Sequence, residues 1–144
     1  MKDAYVSAFY DAVNETIETQ GWELPSEITS YIIALLSSRV EQQQVLPEPN
    51  FAVAFMSLSR PADYKAKELG DICLFVTGVY PEYGERRGLN RRYFQDIGST
   101  SYDMFAENHN PELFYQMSKH FVHLSDFISL VVRSPKLPQH ILFR

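Results

Sequence analysis

Four arginines within seven positions, Arg86, Arg87, Arg91 and Arg92, closely follow a lone acid, Asp71. That acid lies inside an apolar run, Leu69-Gly-Asp-Ile-Cys-Leu-Phe-Val-Thr-Gly-Val-Tyr. These residue types at this spacing are where chemistry can concentrate in this chain. An ionised carboxylate in apolar surroundings needs a partner. A helix start favours anions, and guanidinium groups grip phosphate through paired hydrogen bonds. Several readings follow. In one, Asp71 pairs with an arginine and clasps two helices together. In another, Asp71, the arginines and Tyr93 or Tyr102 line a site for a phosphate or small ligand, with Tyr83, Tyr93 and Phe94 as stacking surfaces. In the others, the acid is solvated, and the arginine turn is a protein interface or a solvated loop.

Nothing else in the sequence completes a catalytic set, and no catalytic residue is assigned. There is no Gly-x-Ser-x-Gly, no Gly-x-x-x-x-Gly-Lys and no His-Glu-x-x-His. The only cysteine, Cys73, sits in an apolar stripe and reads as a small core residue rather than a nucleophile. His120, His123 and Asp126 invite a metal reading. Helical spacing puts His120 at the edge of an inner stripe and the other two mostly opposite it, so no metal is expected. No cofactor is expected either.

The elements that must position these residues are helices. Tyr5, Phe9, Ala12, Val13 and Thr16 recur at helical spacing after Asp3, and Gly21 stops that helix. Pro25-Ser-Glu opens a second helix with Ile28, Tyr31, Ile32, Leu35 and Leu36 inward; it frays at Glu41-Gln-Gln-Gln and ends by Pro47. Asn50–Leu58 reads as a short helix. A further helix runs from Ser59-Arg-Pro to about Tyr80, apolar nearly all round and therefore covered on both sides. Its Gly70 and Gly78 permit close packing or a bend. After the loop from Pro81 to Gly88, a helix over Leu89–Asn108 turns Leu89, Tyr93, Ile97, Ser101 and Met104 inward. A last helix over Pro111–Arg133 buries Leu113, Phe114, Met117, Phe121, Leu124, Ile128 and Val131. The segment 134–144, with two prolines, is expected to be extended. Its apolar Ile141-Leu-Phe docks on its own bundle, on a second copy or on a partner. The expected fold is an all-α, single-domain bundle of five to six helices over 1–133, followed by that tail.

The chain of 144 residues is long enough for one self-sufficient core. Its net charge of −5 argues against general nucleic-acid binding, although Glu85–Arg92 alone is +3, four arginines against one glutamate. A single cysteine excludes an intrachain disulfide and fits a reducing, cytoplasmic setting. No secretory leader is visible, and the longest apolar runs are far short of a membrane span.

Leu69-Gly-Asp-Ile-Cys-Leu-Phe-Val-Thr-Gly-Val-Tyr-Pro, then Arg92-Tyr-Phe-Gln-Asp-Ile-Gly-Ser-Thr-Ser-Tyr, resembles a group of uncharacterised bacterial helical proteins. They share a Leu-Gly-Asp…Leu-Phe…Gly block and a Tyr-Tyr/Phe…Gly…Tyr block. The resemblance covers about Glu68–Phe127 and implies a bacterial cytoplasmic origin and an all-α fold, with no activity attached. The expectation for function is a non-enzymatic protein acting through protein contacts or self-association as a homodimer. The alternative is the phosphate- or small-ligand-binding protein, possibly an enzyme, with its site near Asp71 and the Arg86–Arg92 turn.

Overall fold

A computed structural model of the chain describes residues 2–41, 64–85 and 88–142. Among them run helices α1 (Lys2–Gln20), α2 (Ser26–Glu41), α3 (Tyr64–Val79), α4 (Arg91–Ala106), α5 (Pro111–Lys119) and α6 (Phe121–Val131), then a 3-10 helix over Gln139–Ile141. No strand occurs among the described residues, and the expected all-α class is what the chain adopts. The short helix expected over Asn50–Leu58, the helix start at Ser59, and Arg86 and Arg87 lie outside the described residues. No helix described is long and apolar enough to cross a membrane.

The helix ends follow from local chemistry. Gly21 adopts φ +69 and donates its N–H to Ile17 O, closing α1. The Pro25 carbonyl accepts from Ile28 and Thr29 at the start of α2. The Asn90 side chain caps α4 by accepting from the Tyr93 N–H at 2.9 Å. Asn110 caps α5 from a left-handed conformation (φ 43), with Pro111 at the helix start.

Contacts between residues gather into two compact units. One takes 1–45 and 127–144. Its buried residues include Phe9 and Val13 of α1, Ile32 and Leu36 of α2, and Ile128 and Val131 of α6. α1 packs against α2, and Trp22 lies against Phe127 with ring centroids 5.1 Å apart. The C-terminal segment, expected to be extended, is instead coiled into turns. Ser134 N–H donates to Val131 O, Leu137 N–H to Ser134 O and Ile141 N–H to Pro138 O. The fixed φ of proline suits a turn as well as an extended chain. Burial decides between them here, because Leu137, Ile141 and Leu142 are all buried within their own chain.

The second unit takes 46–126. α3 packs on α4, and α4 also packs on α5. Eleven residues of α3 are buried, as its all-round apolar pattern requires. The expected inward face of α4 is buried in part: Ile97 and Ser101 are buried as expected, but Leu89, Tyr93 and Met104 are only half-buried, and Phe94, Gly98, Tyr102 and Phe105 join the core instead. Two stripes one residue apart both fit the helical period. The one carrying Gly98 wins because glycine lets a neighbouring helix approach. The expected single helix over 111–133 is broken in two. His120 leaves the helical region at φ −104, ψ 19, and the hydrogen-bonded ladder resumes with Leu124 N–H to His120 O.

Candidate functional site

The turn between α3 and α4 makes them antiparallel, and this decides which residues can meet. Arg91, the first residue of α4, lies beside the end of α3 and donates from Nε to Thr77 O at 2.9 Å. Asp71 lies further back along α3 and meets Tyr102, whose hydroxyl donates to Asp71 Oδ1 at 2.6 Å. The other carboxylate oxygen, Oδ2, accepts from Lys67 Nζ one turn away at 3.0 Å. Arg91 and Tyr102 are eleven residues apart, about 16 Å along the helix. An acid that reaches one is out of reach of the other. The expected clasp between these helices therefore exists, but its described partner on α4 is Tyr102 rather than Arg91 or Arg92.

Gly70 is what lets Tyr102 reach the acid. A Cβ at Gly70 would stand 2.6 Å from Tyr102 Cδ1, so the ring occupies the space a side chain would fill. Both Asp71 and Tyr102 are buried. A phenol hydrogen bond to a carboxylate is charge-assisted and short. Replacing Tyr102 by Phe keeps the ring packing and removes only that donor. The expected cost is about 1.5 kcal/mol, read as a lower urea midpoint with unchanged slope. An unchanged midpoint would remove Tyr102 as the anchor of Asp71.

Of the four arginines, the two that are described, Arg91 and Arg92, are held within the chain. Arg91 Nη1 donates to Asp126 Oδ1 at 2.9 Å, tying the start of α4 to α6. Arg92 pairs with Asp96 on the exposed side of the same helix. The tyrosines expected as stacking surfaces lie on Phe94: Tyr83 at 5.7 Å and Tyr93 at 5.1 Å between ring centroids. The predicted set is thus divided. Asp71 and Tyr102 come together, Arg91 goes to Asp126, Arg92 to Asp96, and Tyr93 to Phe94.

A second seam, which the sequence reading missed, runs between α4 and the α5–α6 pair. Ser99 Oγ donates to Ser118 O at 2.9 Å, and Ser118 Oγ returns a bond to Ser99 O at 2.7 Å. With Arg91–Asp126, this gives an antiparallel register in which paired residue numbers keep a constant sum. The same register sets Gln95 level with Val122. Gln95 is buried, and its Nε2 has no hydrogen-bond partner among the described residues. The signal that could have found this seam is the pair Ser99 and Ser118, small hydroxyl residues on adjoining helices. Gln95→Met keeps the length and removes the orphaned donor, and is expected to stabilise by about 1–2 kcal/mol. A melting temperature equal to or below the parent's would count against it.

Thr77 and Ser125 form a third polar contact, their hydroxyls 2.9 Å apart and both buried. Cys73 is buried between these helices, and burial pushes its thiol well above the ordinary cysteine range. A thiol held protonated is neither nucleophile nor ligand. His120 and His123 are exposed with ring centroids 6.5 Å apart, and Asp126 is turned to Arg91. Among the described residues, no three His, Cys, Asp or Glu side chains are grouped to hold a metal ion.

Compared with models of known protein families, with curated proteins and with solved structures, the chain finds no match.

Proposed function

We propose that this chain is a protein-contact module rather than an enzyme. The observation that carries this reading is the fate of Asp71. The one acid placed for chemistry has Tyr102 on one oxygen and Lys67 on the other, inside the helix packing. Arg91 is drawn into Thr77 and Asp126 in the same way. A ligand that used Asp71 or Arg91 would have to displace these bonds, which weighs against a phosphate or small-ligand site built on those two residues. What the surface does offer is large apolar side chains: Tyr10, Tyr64, Tyr115 and Val122 are all exposed. Exposed aromatic residues are the kind that protein interfaces favour. A bacterial cytoplasmic setting and self-association as a homodimer belong to the same proposal.

The test is a photo-crosslinking amino acid placed in turn at positions 10, 64, 115 and 122 in living cells. At least one position is expected to give a discrete covalent adduct. An adduct of twice the chain's 16.7 kDa identifies self-association. Folded protein with no adduct at any of the four positions overturns the proposal.

A further inference from the structure

We infer that the outer face of α1 is a docking surface for a basic, amphipathic segment of a partner protein. The inference rests on the contact-module reading and names the partner's chemistry. The first observation is an apolar edge. Val6 and Tyr10, one turn apart, are 37% and 57% exposed, and Ile17 two turns further is half-buried. At the helical angle per residue, the three fall within about 40° of one another. They form one edge of the helix, while Phe9, Ala12, Val13 and Thr16 face the core.

The second observation is charge. From Asp3 to Ser38 the chain has six acids, Asp3, Asp11, Glu15, Glu18, Glu23 and Glu27, and no lysine or arginine. The whole chain has 18 acids and 13 bases. The rest therefore holds 12 acids and 13 bases, a balance of +1, and the net charge of −5 arises entirely on the α1–α2 hairpin. Asp11 and Glu18 are exposed on the face of α1 opposite the core, about 100° and 80° round the helix from Tyr10.

Charge decides among occupants. Nucleic acids and anionic membranes carry the same sign and are repelled. A second copy docked by two-fold symmetry would set this face against itself, acid against acid. A small cation or polyamine answers the charge but leaves Tyr10 and Val6 in water. A basic segment with an apolar stripe of its own answers both, as in recognition of amphipathic helices by apolar grooves.

The probe is a short helical peptide with leucines at helical spacing and lysines between them. Two controls accompany it: the same peptide with glutamates for lysines, and a lysine–glutamine peptide without the leucine stripe. Binding to the full chain is read by fluorescence anisotropy at low and high salt. The lysine–leucine peptide alone is expected to bind, more weakly at high salt. Tyr10→Ser, which alters an exposed side chain, is expected to weaken binding about tenfold, as is Glu18→Lys. Tyr115→Ser on α5 is expected to leave it unchanged. No binding, binding indifferent to Tyr10→Ser, or equal binding of the peptide without leucines would each overturn the inference. Crosslinked adducts at Tyr64, Tyr115 or Val122 alongside such a failure would leave the contact-module reading standing.

Discussion

Deleting the residues after Pro135 is expected to unfold the unit that contains them. Leu137, Ile141 and Leu142 keep 4%, 8% and 7% of their surface exposed. Burying one such side chain stabilises by about 1.5–3 kcal/mol, an upper figure when the unfolded chain is itself partly compact. Three of them amount to roughly 5 kcal/mol, against a total stability of about 5–15 kcal/mol for an ordinary domain. The truncated chain also loses the turn bonds from Leu137 N–H to Ser134 O and from Ile141 N–H to Pro138 O. The expected result is a melting transition lowered by well over ten degrees, or no cooperative transition at all. Sedimentation of the same sample separates the alternatives. An unchanged transition together with a changed mass would mean that the segment acts between molecules.

Gly98→Ala is the second large effect, and here the sign is the test. Alanine in place of glycine inside a helix ordinarily stabilises by about 1 kcal/mol. At Gly98 a Cβ would stand 2.7 Å from Cys73 Cβ and would overlap the Phe121 ring. Neither neighbour can give way: the Cys73 Cβ is fixed to the α3 backbone, and Phe121 is 1% exposed. α3 and α4 must therefore move apart, which strains every contact along them, including Tyr102 on Asp71. Overpacking outweighs the propensity gain, for a net loss of about 2–3 kcal/mol. A urea midpoint above that of the parent would sink the argument. Gly98→Leu is expected to prevent folding.

Much of the fold was legible in the sequence because apolar residues recur at helical spacing along α1 and α2, because α3 is apolar nearly all round over a helix's length, and because Gly21, Pro25 and Asn110-Pro111 punctuate the chain clearly. The arginine expected on Asp71 came from closeness in sequence. Closeness in space follows instead from the short antiparallel turn, which pairs the middle of α3 with the far half of α4. Counting back from the turn places Asp71 near position 99, and Tyr102 is the donor within a turn of it. The buried face of α4 was harder to read, because Tyr93 and Phe94 begin two equally apolar stripes and only the depth of Gly98 separates them. The break at His120 has no glycine or proline to announce it. The Gln95 amide was invisible because its isolation depends on what lies across the seam.

The division into two units has a consequence for how the chain comes together. Residues 46–126 are contiguous, and the helix pairs α3–α4 and α4–α5 are neighbours in sequence, so that unit closes through local contacts and is expected to fold early. The other unit joins 1–45 to 127–144 across the whole intervening stretch. On a ribosome, α1 and α2 emerge first, but their buried faces wait for the segment carrying Phe127, Leu137 and Ile141. The hairpin that carries all of the chain's net negative charge is thus the part left uncovered longest during synthesis. The acids from Asp3 to Glu27 give that nascent hairpin a net charge, which favours solubility.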